Sequence, residues 1–254
     1  MSDTVHLFIE AWKAMVGQLP SPRIEEADGV ATCFGNVPLI FLNLSIVDRP
    51  AASADDLRAL LKTSAGRAGA CEHPSGVVLC EDWLPAGWEQ VTAEAGLAEM
   101  LGMTGMEGGE LLPPRRPPAN VEIRRVIDDA GARDLAQLNA VAYHVPGELF
   151  ECMSGINFWR DDSLAYVGYV DGKPVSTASV LPVAGTVYVA LVATLPEEQG
   201  KGYAETVMRH AVTQGQRAMG VMRTTLHATD MGQPVYRAMG YSAGPRLILF
   251  SPAH

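Results

Sequence analysis

Near the middle of the chain six residues, Pro113-Pro114-Arg115-Arg116-Pro117-Pro118, exclude both a helix interior and a central strand. Each proline lacks an N–H and holds φ at about −65°. The run reads as an extended linker over 113–118, and it divides the 254 residues into 1–112 and 119–254. Each part has the length of one ordinary domain. Hydrophobic residues make up 48% of the chain, enough for a sizeable core.

Charge narrows the partners. The formal net charge is −10, so the basic footprint that nucleic acid or an anionic membrane surface requires is missing. An acidic chain suits a cationic partner such as a protonated amine. The cysteines, Cys33, Cys71, Cys80 and Cys152, form no C-x-x-C pair and have no histidine at zinc-ligand spacing. They read as free thiols in a reducing cytoplasm, with no metal site. Met1 to Lys13 lacks a basic segment followed by an apolar run, and no stretch of about 18 apolar residues occurs. The expectation is a cytoplasmic protein that neither enters nor spans a membrane.

The second part has the clearer periodicity. Val121 to Ile127 reads as a strand, Asp134 to Tyr143 as a helix, and Pro146 to Met153 as a shorter one. Leu164 to Val170 and Val175 to Val183 read as strands joined by Asp171-Gly172, a hairpin signal. Val187 to Thr194 is almost wholly apolar, hence a central strand. Gly202 to Met219 carries Val207, Met208, Ala211 and Val212 on one stripe and reads as a helix. A strand at Thr224 to Ala228, a helix at Val235 to Met239 and a strand at Arg246 to Phe250 close the chain. The expected class is α/β, an α+β mixed sheet with helices on both faces.

The first part predicts a helix over Val5–Val16, strands over Val30–Phe34 and Leu39–Val47, and a helix capped by Ser53. A strand at Val77–Cys80 and a helix over Gly87–Met100 follow. Met100, Met103 and Met106 read as filling a loop and a strand edge.

The most informative segment is Gln199-Gly200-Lys201-Gly202-Tyr203-Ala204, which follows a buried strand and opens an amphipathic helix. The first N–H groups of a helix have no intrahelical acceptor, and the helix dipole adds about half a positive charge there. Such an end accepts a pyrophosphate. Gly200 and Gly202 permit unusual φ and close approach, and Lys201 adds a cation. No G-x-x-x-x-G-K-[ST] occurs, and in a G-x-G-x-x-G reading Glu205 stands in place of the third glycine. A glycine turn capping an ordinary helix would explain the glycines alone.

The pattern Q/R-x-x-G-x-G/A, met here by Gln199, Gly202 and Ala204, resembles the pyrophosphate signature of the GNAT superfamily of acyl-CoA-dependent N-acetyltransferases. Val192-Ala193-Thr194-Leu195-Pro196-Glu197 is similar to the strand end and proline turn that precede it in that family. The resemblance covers roughly residues 119–251. It implies acetyl-CoA as co-substrate, held by Gln199 to Ala204 and by backbone groups of the splayed strand at Val192, Ala193 and Thr194. Residues 119–254 would be the catalytic domain. Residues 1–112, with a similar run of elements but no signature, would be a degenerate GNAT-like or accessory domain, giving two tandem domains.

Gln233-Pro234-Val235-Tyr236-Arg237-Ala238-Met239-Gly240-Tyr241 resembles the family's next helix, whose tyrosine lies four residues before a Gly-aromatic pair. Tyr236 stands there, and a phenol can protonate the leaving CoA thiolate. The other reading is a tyrosine packed against the sheet. A lysine-like amine is protonated at neutral pH and needs a base. Many family members carry a glutamate on the strand before the loop, whereas Val187 to Val192 holds no carboxylate. Glu148 and Glu151 lie in the segment that covers the acceptor in that family and are the candidates, with Asp230 a third. His227 on a strand reads as structural, and Arg209 and His210 as a solvated helix face or a contact for the CoA 3′-phosphate.

The reading is direct acetyl transfer to a primary amine, a small cationic molecule being favoured by the acidity. A non-catalytic acyl-CoA binder or sensor, and a transferase of longer acyl chains, remain alternatives. Homo-oligomer formation is not legible in the sequence.

Overall fold

The computed structural model describes residues 3–159 and 162–253. In chain order it contains α1 (Thr4–Val16), β1 (Arg23–Ala27), β2 (Val30–Phe34), β3 (Asn43–Val47), α2 (Ala54–Ala68), β4 (Gly76–Cys80), α3 (Trp88–Glu94) and β5 (Leu97–Gly108). There follow β6 (Glu122–Arg125), α4 (Asp129–Ala142), β7 (Leu164–Val170), β8 (Lys173–Val183), β9 (Thr186–Thr194), α5 (Tyr203–Met219), β10 (Thr224–Ala228), α6 (Gln233–Ala238) and β11 (Ser242–Pro252). The fold is mixed α/β. No helix among the described residues is long and apolar enough to cross a membrane.

By internal contacts the chain forms two compact units, and each draws on both halves of the sequence. One holds the residues up to Met106, His227–Gln233 and those from Ala243 on; the other holds Glu107–Leu226 and Pro234–Ser242.

In the first unit β1, β2 and β3 pair antiparallel in succession, β3 runs parallel to β4, and β4 pairs antiparallel with β11. Helix α2 starts because the Ser53 hydroxyl accepts from the Asp56 N–H at 3.2 Å, leaving Asp55 and Asp56 in the positive first turn. It then buries Leu57, Leu60 and Leu61 against Val30, Val47, Leu79, Ile248 and Phe250. Arg67, in the last turn of α2, is buried and donates to the carbonyls of Val30 (2.7 Å) and Ala27 (2.8 Å) and to Thr32 Oγ1 (2.9 Å). It thereby ties the helix to the β1–β2 hairpin.

Three expectations for this unit change. The helix drawn over Gly87–Met100 ends at Glu94, because Gly96 takes φ +70° and the chain continues as β5. Met100, Met103 and Met106 thus lie within a strand, with Met106 fully buried. The strand drawn over Leu39–Val47 begins only at Asn43, after a 3-10 turn at Ile40–Leu42. Strand β1, Arg-Ile-Glu-Glu-Ala, carries no apolar run, because its side chains are all exposed or half-exposed. Gly102 and Gly105 sit in β5 because other residues fill their side-chain space. A Cβ at Gly102 would lie 2.3 Å from the Arg246 guanidinium, and one at Gly105 would lie 2.4 Å from Thr4 Oγ1.

In the second unit β6, β7, β8 and β9 pair antiparallel in sequence, and β9 pairs parallel with β10. The β7–β8 turn is Asp171-Gly172 with φ +49° and +77°, as a two-residue hairpin of this twist requires. Helix α4, capped by the Asp128 carboxylate on the Gly131 N–H at 2.9 Å, buries Ala132, Leu135 and Leu138 against Ala165, Val167 and Tyr169. Helix α5 packs close to the sheet at Gly215, where a Cβ would come within 2.8 Å of Val180 and 2.9 Å of Val187.

Candidate active site

Strand β9 loses its second neighbour partway along. Its parallel register with β10 runs Val187↔Thr224, Tyr188↔Thr225 and Val189↔Leu226, and β9 then continues to Thr194. On the other side, Ser179 pairs with Ala190 and Thr177 with Ala193, with a register shift between them. Leu191 and Val192 therefore lie opposite Ala178 alone, and Leu191 takes φ +54°. This is a β-bulge at an open strand edge, an arrangement that re-aims backbone groups. A leucine at positive φ is held there by its surroundings.

Those surroundings are a row of hydroxyls on β8. Ser179 Oγ donates to the Ala190 carbonyl at 2.8 Å, Thr177 Oγ1 to the Leu191 carbonyl at 2.8 Å, and Ser176 Oγ to the Ala193 carbonyl at 2.9 Å. Ser176 Oγ also lies 2.8 Å from Thr194 Oγ1. The carbonyls are thus spent inward, on β8. Sequence reading missed this row; its trace is the polar run Ser176-Thr177-Ala178-Ser179 in an otherwise apolar buried strand.

Past the bulge the chain turns through a 3-10 segment at Pro196–Glu198 into the glycine loop. Gly200 and Gly202 have φ +76° and +85°, and Gly202 is the residue that precedes the first turn of α5. No heavy atom lies within 4 Å of a Cβ built on Gly200, so conformation alone demands that glycine. The first backbone bond back into the helix runs from Thr206 N to Gly202 O at 3.1 Å, so the N–H groups of Tyr203, Ala204 and Glu205 precede any intrahelical acceptor. Lys201 Nζ sits 2.7 Å from Glu198.

The proline run is tied along this helix. Arg209 Nη1 donates to the Leu112 carbonyl at 2.6 Å and the Ala119 N–H donates to Thr206 Oγ1 at 3.0 Å. Arg209 also pairs with Glu205 at 2.8 Å, and His210 stands edge-on to the Tyr166 ring at 4.8 Å. Both therefore have structural partners.

Tyr236, on α6, is 9% exposed, with its ring 6.1 Å from that of Tyr241. Burial, with the neighbouring Tyr143 and Tyr241 hydroxyls, pushes its phenol well above the usual tyrosine value. Tyr188, fully enclosed on β9, is pushed up by burial and then by Tyr143. Tyr143, which sequence reading did not single out, thus interacts with both Tyr236 and Tyr188. Tyr143 closes α4 and stacks on Phe150 at 6.4 Å.

Glu148 and Glu151 lie exposed on the 3-10 turn Gly147–Met153, and neither carboxylate has a hydrogen bond or ion pair among the described residues. Asp230 Oδ1 accepts from the Gln233 side chain at 3.0 Å. His227 is half-buried, edge-on to Phe8 at 4.7 Å, and desolvation pulls its pKa down to about 3, as suits a neutral structural histidine. His144 takes φ +54° just beyond α4. Phe158 and Trp159 form an edge-to-face pair at 5.2 Å.

An open strand edge with a bulge thus runs into a glycine loop at a helix start. Residues 133–241, in the C-terminal half, match the model of the acetyltransferase (GNAT) family. The whole chain is similar in fold to a GCN5-related N-acetyltransferase from Kribbella flavida (TM-score 0.73, 20% identity, 100% of this chain and 97% of that one). It is also similar to a functionally unknown conserved protein from Staphylococcus epidermidis ATCC 12228 (0.68, 14%, 93% and 96%). A tandem GNAT protein from the clavulanic acid biosynthesis pathway matches as well (0.54, 14%, 98% and 94%). A search of curated proteins found no match.

Proposed function

We propose that the chain transfers an acetyl group from acetyl-CoA to a primary amine by direct attack. The observation that carries this reading is the bulge at Leu191-Val192, on a strand edge that β10 has left, running into the loop Gln199 to Ala204. The loop N–H groups would hold the pyrophosphate, with Gly200, Lys201, Gly202 and Tyr203 around it. Backbone groups of Val192, Ala193 and Thr194 would pair with the pantetheine arm, and the Val192 N–H would polarise the thioester carbonyl.

The amine nitrogen then attacks the carbonyl carbon, the C–S bond breaks, and the CoA sulfur takes the Tyr236 proton. The ammonium proton passes to a base, for which Glu148 and Glu151, exposed on the turn after α4, are our candidates. The acceptor class we favour is a small cationic amine, in keeping with the net charge of −10. The N-terminal half is proposed as a GNAT-like domain without a working loop.

The test is Tyr236→Phe. On this reading turnover falls by about 10²- to 10⁴-fold, the range of a general acid, while CoA affinity measured by calorimetry changes little. Equal loss of both would give Tyr236 a packing role. The absence of a carboxylate on Val187 to Val192 favours a second reading, a non-catalytic acyl-CoA sensor, which binds CoA without turnover.

A further inference from the structure

Helix α4 carries one side chain that does not suit its face. Asn139 is wholly buried on the surface that otherwise presents Leu135, Ala136 and Leu138 to the core. Its amide Nδ2 donates to the Leu135 carbonyl at 2.9 Å and to Thr177 Oγ1 at 3.2 Å. Its Oδ1 is buried with no hydrogen-bond partner among the described residues. An unpaired buried acceptor loses its hydration without recompense, so an apolar residue would serve packing better. What an apolar residue would not provide is the donor to Thr177.

That donor fixes a direction. A threonine hydroxyl has one hydrogen, which rotates to suit its neighbours. With a lone pair of Thr177 Oγ1 taken by Asn139, the hydrogen goes to the Leu191 carbonyl, 2.8 Å away. That carbonyl and the Val192 N–H belong to one planar peptide, and no cis bond occurs among the described residues. In a trans peptide the two groups point in opposite directions. Clamping the Leu191 oxygen towards β8 therefore aims the Val192 N–H away from β8, towards the edge that β10 has left.

We propose that Asn139 is a positioning residue for acyl transfer: through Thr177 it locks the Leu191 peptide so that the Val192 N–H meets the thioester carbonyl oxygen. This deepens the reading above and rests on it. Asn139 touches no reacting atom and acts on the bulge alone.

The experiment compares Asn139→Leu, Thr177→Val and Thr177→Ser in the full-length protein. Four quantities are read: acetyl-CoA turnover, affinity for CoA itself, melting temperature, and the amide resonance of Val192 with and without acetyl-CoA. CoA lacks the acyl carbonyl, so its affinity reports the loop and not the bulge. N139L is expected to lower kcat about ten- to a hundredfold, less than the 10²- to 10³-fold of deleting an oxyanion donor. Its CoA affinity and melting temperature hold, and the Val192 resonance no longer responds to acetyl-CoA. T177V behaves likewise, T177S keeps activity, and combining N139L with T177V adds nothing.

Unchanged kcat and an unchanged Val192 response in N139L overturn the proposal. So does parallel loss of kcat, CoA affinity and melting temperature, which is the pattern of a packing residue. If the wild type shows no turnover with any amine, the transferase reading fails by itself; the Val192 response in N139L against wild type still decides the role of Asn139.

Discussion

Lys201 Nζ lies 2.7 Å from Glu198 Oε2, so the lysine of the phosphate loop is already engaged by a carboxylate three residues before it. Glu197 and Glu205 add further negative charge at the same helix start. The loop therefore relies on backbone N–H groups and the helix dipole. Glu198→Gln frees the cation at an exposed site and is expected to tighten CoA binding by about two- to fivefold at low salt, with the gain shrinking as salt rises. Titration calorimetry at two ionic strengths checks it.

Gly202 takes φ +85° with only Ala119 Cβ, at 3.8 Å, near a Cβ built upon it. Substitution there is a problem of conformation and not of space. Gly202→Ala is expected to cost about 1–2 kcal/mol, the left-handed penalty of an L-residue. Where the loop relaxes instead, the cost moves into CoA affinity. Thermal melts with and without CoA separate the two.

Burial holds the Tyr236 hydroxyl protonated well beyond the ordinary tyrosine range. A proton donor whose pKa is raised keeps its proton at every pH below that raised value. The pH–rate profile should rise as the amine and its base lose protons and show no fall up to about pH 10, where an ordinary tyrosine would begin to ionise. A descending limb in that interval, present in wild type and absent in Tyr236→Phe, would show the phenol titrating normally.

How much of this was legible in the sequence follows from how local each signal is. The central strand β9, the helix α5 and the Asp171-Gly172 hairpin announce themselves within their own residues. The glycine loop does too, because both of its left-handed positions must be glycine. Strand β5 hides, since Gly102 and Gly105 leave room for Arg246 and Thr4, partners far away in sequence. Strand β1 hides because it has no buried face. The return of β11 to pair with β4 is likewise invisible without the fold. Asn139 looks in sequence like any polar residue of a helix; only its position against Thr177 and Leu191 gives it meaning.

His227 supplies a pH dependence of stability in the first unit. Its pKa falls from the usual 6.5 to about 3 in the folded chain, because burial disfavours the imidazolium. Below pH 6.5 the unfolded chain takes up a proton that the folded one refuses. The stability is therefore present above that pH and is lost as pH falls towards about 3, at up to about 1.4 kcal/mol per unit. His227→Gln should flatten this acid slope. Denaturant titrations of both proteins at pH 7 and pH 4.5 measure it, and identical slopes would contradict the assignment.

The most direct test of the central claim is release of CoA thiol when the purified protein meets acetyl-CoA and a broad panel of primary amines. The account predicts release above the hydrolysis background with one class of cationic amine, stoichiometric with the acetylated product. Binding of CoA without thiol release across the whole panel would contradict it and leave the site as a sensor.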